Sequence, residues 1–148
     1  MAYFVTGATG FIGQFLVRKL LPRGQPIYVL VRKASLPKLA ALKEEWGAGD
    51  KDVIPVIGDL AKRNLGVADA DLRKLKGKVE HFVHLAAIYD LKASAADQQA
   101  ANVEGTRHAV QCAQALMVGC FHHVSSIAAA GLYGRVGVRT PGRRRVRR

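Results

Sequence analysis

The chain has 148 residues, of which 49% are hydrophobic and 23% are charged, so it can bury the core of one globular domain. No apolar run approaches the roughly 18 residues that cross a membrane, and the N-terminal stretch lacks the cleavage pattern of a signal peptide. These properties favour a cytoplasmic protein. Its two cysteines, Cys112 and Cys120, are expected to be reduced and buried.

The net charge of +12 is concentrated at the C-terminal end. Residues 134–148 contain seven arginines and no acidic residue, whereas residues 1–133 contain sixteen basic and eleven acidic ones. The terminal segment has no amphipathic period, which predicts a disordered basic tail. The chain is therefore divided into one folded domain, 1–133, and a tail, 134–148.

Short apolar runs alternate with amphipathic segments along the domain. Strands are predicted at 3–6, 26–31, 53–57, 79–85 and 119–125, and helices at 11–22, 35–46, 68–76 and 96–117. The run 53–57 is almost wholly apolar, which is typical of a strand covered on both faces. The alternation predicts right-handed crossovers and an α/β fold with a doubly wound parallel sheet, the Rossmann architecture, truncated after about five strands.

The last predicted helix has a recurring apolar stripe. Its members follow a helical spacing and are Ala100, Val103, Val110, Ala113 and Leu116.

The most informative segment joins the first strand to the first helix. It reads Thr6-Gly7-Ala8-Thr9-Gly10-Phe11-Ile12-Gly13. The spacing of its glycines predicts a dinucleotide site: Gly7 takes a tight turn, Gly10 leaves room for a phosphate, and Gly13 lets the helix pack on the strand. The helix N-terminus then offers free N–H groups to the pyrophosphate.

A basic pair, Arg32-Lys33, ends the second strand about twenty residues further on. An acidic residue there would bind the ribose 2′-hydroxyl of NAD, whereas a cation suits the 2′-phosphate of NADP. We therefore expect NADP in preference to NAD, with a solvated basic loop as the alternative.

Polar or small residues also follow the later strands. Asp59 comes after the third strand, where it either meets the adenine or caps the next helix. His84 is expected to be a packed histidine rather than a catalyst. In Ser125-Ser126, a hydroxyl could bind a substrate carbonyl. The remaining histidines show no metal-ligand spacing, so no metal site is expected.

Five motifs in this order resemble the extended short-chain dehydrogenase/reductases. They are Thr6–Gly13, Gly58-Asp59-Leu60, His84-Leu85-Ala86-Ala87, Asn102-Val103-Glu104-Gly105-Thr106 and Val124-Ser125-Ser126. The family contains sugar-nucleotide epimerases, dihydroflavonol reductases and reductases of acyl thioesters. The stretch Ala86–Leu91 looks closest to fatty acyl-CoA and thioester reductases.

The resemblance implies a role for each matching residue. Phe11 and Ile12 would give backbone N–H groups to the pyrophosphate that Thr6, Gly7, Gly10 and Gly13 surround. Arg32 would meet the adenosine phosphate, and Asp59 and Leu60 the adenine. Ala86 and Ala87 would lie by the ribose and nicotinamide. The catalytic candidates implied in the same way are Ser126 and Asn102.

The sequence departs from the family's Tyr-x-x-x-Lys pair. Tyr133 is followed by Gly137 at the lysine position, and no lysine occurs after Lys92. Whether these 148 residues form an enzyme is therefore left open, because loss of a positioned acid–base group costs about 10²–10⁴-fold in rate. The composition of 134–148 suggests a frameshifted reductase fragment, for which we expect association through unpaired surfaces, with homo-oligomers as another option.

Three functions follow for a chain of this kind. The first is cofactor binding for hydride transfer between a nicotinamide and a small carbonyl or hydroxyl substrate. The second is a regulatory protein that binds NADP(H) without turnover. The third, nucleic-acid binding through the arginine-rich tail, is the weakest, because no aromatic residue interleaves the arginines.

Overall fold

The computed structural model describes residues 1–87 and 99–125, and within them five parallel strands form one sheet. The strand order is β3-β2-β1-β4-β5. The chain therefore winds outwards from β1 in one direction and then in the other, which confirms the predicted doubly wound sheet. Such a reversal opens a crevice at the carboxyl ends of the two central strands. The strands are β1 (Ala2–Thr6), β2 (Ile27–Val31), β3 (Val53–Ile57), β4 (Val79–His84) and β5 (Cys120–His123).

Helices cover both faces of the sheet. They are α1 (Phe11–Leu20), α2 (Leu36–Trp46), α3 (Asp69–Leu75) and α4 (Gly105–Leu116). One apolar cluster packs Tyr3 and Val5 of β1 against Val17 of α1 and Leu39 of α2. The other packs strand residues of the opposite face against α3 and α4, and includes Phe4, Phe82, Leu75, Ala109 and Leu116. Alternate residues of each central strand thus enter opposite cores, as the pleat requires.

The predicted cover on both faces was wrong for β3. Pro55 and Ile57 are exposed, the latter by 37%. Among the described strands β3 lies at an edge of the sheet. Proline is tolerated there because its missing N–H does not interrupt a ladder between two neighbours.

The predicted helix 96–117 is not one regular α-helix in its described part. A π-helical turn, Gln99–Glu104, precedes α4. In the predicted apolar stripe, Ala113 and Leu116 are buried, but Val103 and Val110 are 45% and 38% exposed. The helix packs on the sheet through a different line of small residues, which includes Gly105, Ala109 and Cys112.

A left-handed turn after β3 holds the following loop against α4. Its three residues, Asn64, Leu65 and Gly66, have φ values of 51°, 59° and 60°. Leu65 is fully buried in the core shared with α4, and burial of its side chain offsets the strain of its backbone. Gly58 passes so close that a Cβ on it would lie 2.4 Å from the Leu65 carbonyl oxygen.

No helix in the described part of the chain is long and apolar enough to span a bilayer.

Candidate cofactor site

The turn after β1 requires a glycine at position 7. Gly7 has a φ of +75°, and a Cβ there would lie 2.8 Å from the backbone nitrogen of Ala86. Both the conformation and the space exclude a side chain. The turn therefore packs directly against the chain that leaves β4, and the structure brings Thr6, Gly7 and Ala86 together.

The other two glycines of the motif have different roles. A Cβ on Gly13 would lie 2.2 Å from the Gly7 carbonyl oxygen and 2.6 Å from the Ala8 Cα, so α1 could not approach the turn with any larger residue. A Cβ on Gly10 would meet only the Gly7 oxygen, at 3.2 Å. Position 13 therefore serves packing, whereas the constraint at position 10 is a single tight contact within the turn.

The N-terminus of α1 has no side-chain cap, which suits the binding of an anion. Gly10 is its extended N-cap, and the first intrahelical bond runs from the Gln14 nitrogen to the Gly10 oxygen at 3.0 Å. The amides of Phe11, Ile12 and Gly13 precede that bond. Among the described residues no side chain caps the helix, and its first turn holds no acidic residue. The positive end of the helix dipole therefore remains available to a phosphate.

A chain of hydrogen bonds joins this turn to α4 through His84. The backbone N–H of Ala86 donates to Thr6 Oγ1 (3.3 Å), and Thr6 Oγ1 lies 2.7 Å from His84 Nδ1. On the other side of the ring, His84 Nε2 lies 3.3 Å from Thr106 Oγ1, which donates to the Asn102 carbonyl oxygen at 2.8 Å.

The donors in this series of hydrogen bonds fix the tautomer of the His84 imidazole. Because Thr106 gives its proton to Asn102, it accepts from His84 Nε2–H, and Nδ1 then accepts from the Thr6 hydroxyl. Burial, and to a smaller extent the charge of His123, lowers the pKa of His84 to about 4. His84 is thus a buried, neutral residue, as predicted. Its place between the glycine turn and Asn102 was not apparent from the sequence, because Thr6 and Thr106 are far from it along the chain.

Arg32 directly follows β2 and is exposed. It begins the short 3-10 turn Lys33–Ser35, and its carbonyl oxygen accepts from the Ser35 nitrogen at 2.8 Å. Since β2 pairs with β1 in parallel, Arg32 lies at the same end of the sheet as the glycine turn.

Asp59 and Leu60 make local and packing contacts. Asp59 Oδ1 accepts a hydrogen bond from the Ala61 nitrogen at 2.9 Å, which forms an Asx turn within the loop. It does not cap the next helix, because the two helical segments that follow have Lys62 and Ala68 as their N-cap residues. The Leu60 side chain packs against the core beneath α4, and its carbonyl oxygen lies 2.9 Å from His108 Nδ1. Both residues follow β3 at the carboxyl end of the sheet.

The remaining predicted site residues are only partly described. Ala87 is exposed, next to Ala86, and Asn102 lies in the π-helical turn one turn before Thr106. Ser125 is exposed just beyond β5. Ser126, Tyr133 and the tail 134–148 lie outside the described residues.

A second group of polar side chains lies on the α1/α2 face of the sheet, opposite the face that His84 occupies. His81 of β4 and Cys120 and His122 of β5 place their potential ligand atoms within 4.8 Å of one another. Spacing along the chain did not predict this grouping, since the pairing of β4 with β5 creates it. The prediction that both thiols are buried was wrong for Cys120, which is exposed. It was right for Cys112, whose burial raises its pKa to about 12.

Comparison with known proteins agrees with this geometry. The family described as male sterility protein, an NAD-binding family, matches residues 5–141. A putative dihydroflavonol 4-reductase of Synechocystis is 37% identical over 136 residues, which are 89% of this chain and 34% of that protein. A putative fatty acyl-CoA reductase of Drosophila melanogaster is 32% identical over 142 residues, which are 83% of this chain and 27% of that protein.

A solved structure agrees as well. The reductase Gre2 of Candida albicans, in complex with NADPH, superposes with a TM-score of 0.71 at 26% identity, over 87% of this chain and 38% of that one. The chain thus spans about a third of the length of these proteins.

Proposed function

Because the chain belongs to the male sterility protein family of NAD-binding domains, within the extended short-chain dehydrogenase/reductases, we propose that it binds NADPH for a reductase. The pyrophosphate lies over Gly10 and accepts hydrogen bonds from the first amides of α1. The adenosine 2′-phosphate meets Arg32. The nicotinamide extends towards Ala86 and Ala87, across the carboxyl ends of β1 and β4.

One observation carries this proposal: the glycine turn and the uncapped N-terminus of α1 lie together at the carboxyl end of β1. Gly7 and Gly13 are required by the packing of the turn itself. Gly10 is less constrained, because its Cβ would make one tight contact, with the Gly7 oxygen at 3.2 Å. The first-turn amides next to Gly10 also have no acceptor within their own helix. The N-terminus of α1 beside Gly10 therefore combines a small residue with free N–H donors, and a phosphate could accept hydrogen bonds from these donors.

The reaction proposed for the whole protein is hydride transfer between C4 of the nicotinamide and a carbonyl carbon. The substrate class we propose is a small aldehyde, ketone or acyl thioester, in line with the names of the two similar reductases. When bound, the cofactor supplies the hydride. Ser126 would hydrogen-bond the substrate oxygen, and Asn102 would support it from the π-helical turn.

The series of hydrogen bonds through His84 holds the parts of this site in fixed positions. It ties Thr6, at the start of the glycine turn, to the carbonyl oxygen of Asn102. Neutral His84 keeps both hydrogen bonds without bringing a positive charge into the site. The residues that hold the pyrophosphate and those that would face the substrate therefore keep a constant separation.

Substitutions at Gly10 test the proposal because this position separates binding from folding. Asn and Asp are good N-cap residues, and this gain offsets the tight contact of their Cβ with the Gly7 oxygen, so Gly10→Asn and Gly10→Asp are expected to remain folded with an unfolding temperature close to that of the wild type. Their side-chain oxygens would bond the same amides that the pyrophosphate needs. Loss of one hydrogen bond to a charged group costs about 1.5–3 kcal/mol, or about 10–100-fold in Kd.

The measurement is a fluorescence or calorimetric titration of the 148-residue chain with NADPH and with NADH. We expect NADPH to bind more tightly, Gly10→Asn to weaken it, and Gly10→Asp to weaken it further through charge repulsion. Undiminished NADPH affinity in a folded Gly10→Asp variant would refute binding at this turn. Equal affinity for both nucleotides would refute the NADP preference.

A further inference from the structure

A candidate metal site lies away from the glycine turn. His81, Cys120 and His122 place three ligand atoms within 4.8 Å of one another, and His81 Nδ1 is 3.1 Å from His122 Nε2. All three residues share the α1/α2 face of the sheet, whereas His84 and Phe121 point to the α4 face. His81 precedes His84 by three strand residues, or about 10 Å, and His122 pairs with Val83, one residue before His84. The sheet itself therefore separates the group from His84 and its hydrogen bonds, because the two lie on opposite faces.

The strand pairing holds these residues in place. Cys120 is the ladder partner of His81, and His122 follows two residues later on the same face of β5. The His81 ring stacks on Tyr3 of β1, with ring centroids 5.6 Å apart, and Tyr3 is itself buried. The position of His81 is thus fixed by the sheet core, whereas Cys120 and His122 are exposed and accessible to an ion from solvent.

The distances between the donors suit a tetrahedral ion. With Zn–N bonds of about 2.0–2.1 Å, two nitrogens of a tetrahedral site lie about 3.3 Å apart, close to the separation of the two histidine nitrogens. A thiolate at about 2.3 Å from the ion lies about 3.6 Å from each nitrogen. The Cys120 thiol already lies within 4.8 Å of both histidine ligand atoms, and its exposure leaves room for it to move towards the ion.

The chemistry of the donors selects the ion. Two imidazoles and one thiolate form a mixed nitrogen and sulfur set, which prefers Zn²⁺ to the oxygen-seeking Mg²⁺ and Ca²⁺. Three protein ligands also leave one position of the tetrahedron for water.

We propose that His81, Cys120 and His122 form a Zn²⁺ site that bridges β4 and β5 on the face of the sheet opposite His84. The ion would replace the direct contact between the two imidazoles and join the exposed strand β5 to the centrally anchored His81. The alternative is a plain hydrogen bond between His81 and His122, which needs neither a metal nor Cys120.

Co²⁺ is the probe that distinguishes the two, because a cobalt thiolate absorbs in the near ultraviolet and tetrahedral cobalt in the visible. The reduced, tag-free 148-residue chain is titrated with Co²⁺, and Zn²⁺ is then added in competition. We expect one equivalent of Co²⁺ to give both bands and Zn²⁺ to remove them. Cys120→Ser should abolish the near-ultraviolet band, and His122→Ala should weaken Zn²⁺ binding at least about tenfold, since even loss of an outer-shell partner costs 10–100-fold.

His123→Ala is the matched control, because His123 is the neighbouring exposed histidine on the other face of β5 and stacks on His84. It should retain both bands. Circular dichroism checks that every variant is folded, and the conclusions rest on the two exposed positions, Cys120 and His122, if His81→Ala is unstable. Absence of a thiolate band in the wild-type chain, or equal weakening by His123→Ala and His122→Ala, would overturn the proposal.

Discussion

His84 should make the stability of this chain depend on pH below neutrality. An unfolded histidine has a pKa of about 6.5, whereas burial and the nearby His123 lower the pKa of folded His84 to about 4. Between these two pKa values, His84 is protonated in the unfolded chain but remains neutral in the folded chain. Acidification therefore favours unfolding: the contribution of His84 is fully present above about pH 6.5 and is lost as the pH falls towards 4.

The magnitude follows from the size of the shift. A difference of about 2.5 pKa units, at 1.36 kcal/mol each, corresponds to about 3 kcal/mol as an upper value. The structure explains why the folded state resists protonation. Nδ1 accepts a hydrogen bond from Thr6, and a protonated ring would present a donor there instead. At low pH the chain must either break this contact or unfold.

Urea unfolding at several pH values between 7.5 and 4.2 measures the effect. Trp46, the only tryptophan, is partly buried against the α1/α2 core and reports unfolding by its fluorescence. The comparison variant is His84→Gln, whose amide can donate and accept but does not titrate. We expect it to be less stable than wild type at pH 7.5 and to lose much less free energy of unfolding on acidification.

His123→Gln provides the control for the contribution of His123 to the lowered pKa of His84. Because burial contributes more than His123 to the pKa shift, this variant should keep most of the wild-type pH dependence. Parallel curves of unfolding free energy against pH for wild type and His84→Gln would refute the assignment of the effect to His84.

Two further predictions concern the cofactor site. Gly13→Ala should lower the free energy of unfolding by about 1–3 kcal/mol or more, since its Cβ would lie 2.2 Å from the Gly7 oxygen, and it should also weaken NADPH binding. Thermal unfolding with and without NADPH measures both effects. A melting temperature equal to that of the wild type would contradict the packing role of Gly13. Arg32→Ala should weaken the binding of NADPH about 10–100-fold through loss of one charged contact and leave the binding of NADH unchanged. Lys33→Ala serves as the matched control. An equal loss of affinity for both nucleotides would show that Arg32 does not bind the 2′-phosphate.

The glycine turn and the element order could be predicted because their signals are local. Strand, turn and helix are encoded by the spacing of a few neighbouring residues, and Gly7 and Gly13 are required by atoms of the same turn or of the chain beside it. Within the described residues, the five strands and the helices α1 to α3 were located to within a few residues for this reason, whereas α4 begins only at Gly105 of the helix predicted at 96–117. The errors fell on residues whose environment depends on distant parts of the chain. Ile57 is exposed because β3 has only one neighbouring strand within the described sheet, and Cys120 because β5 occupies the other edge.

The sequence by itself therefore determined the family, the doubly wound sheet and the place of the glycine turn, since each depends on short-range pattern. Only the tertiary structure decided what His84 and His81 do. The sheet register sets Thr6 against His84, and the packing of α4 sets Thr106 on its other side, which converts a packed histidine into the link between the turn and Asn102. The same register sets His81 beside Cys120 across 39 residues of sequence. Such pairings are created by long-range contacts, and no local spacing encodes them.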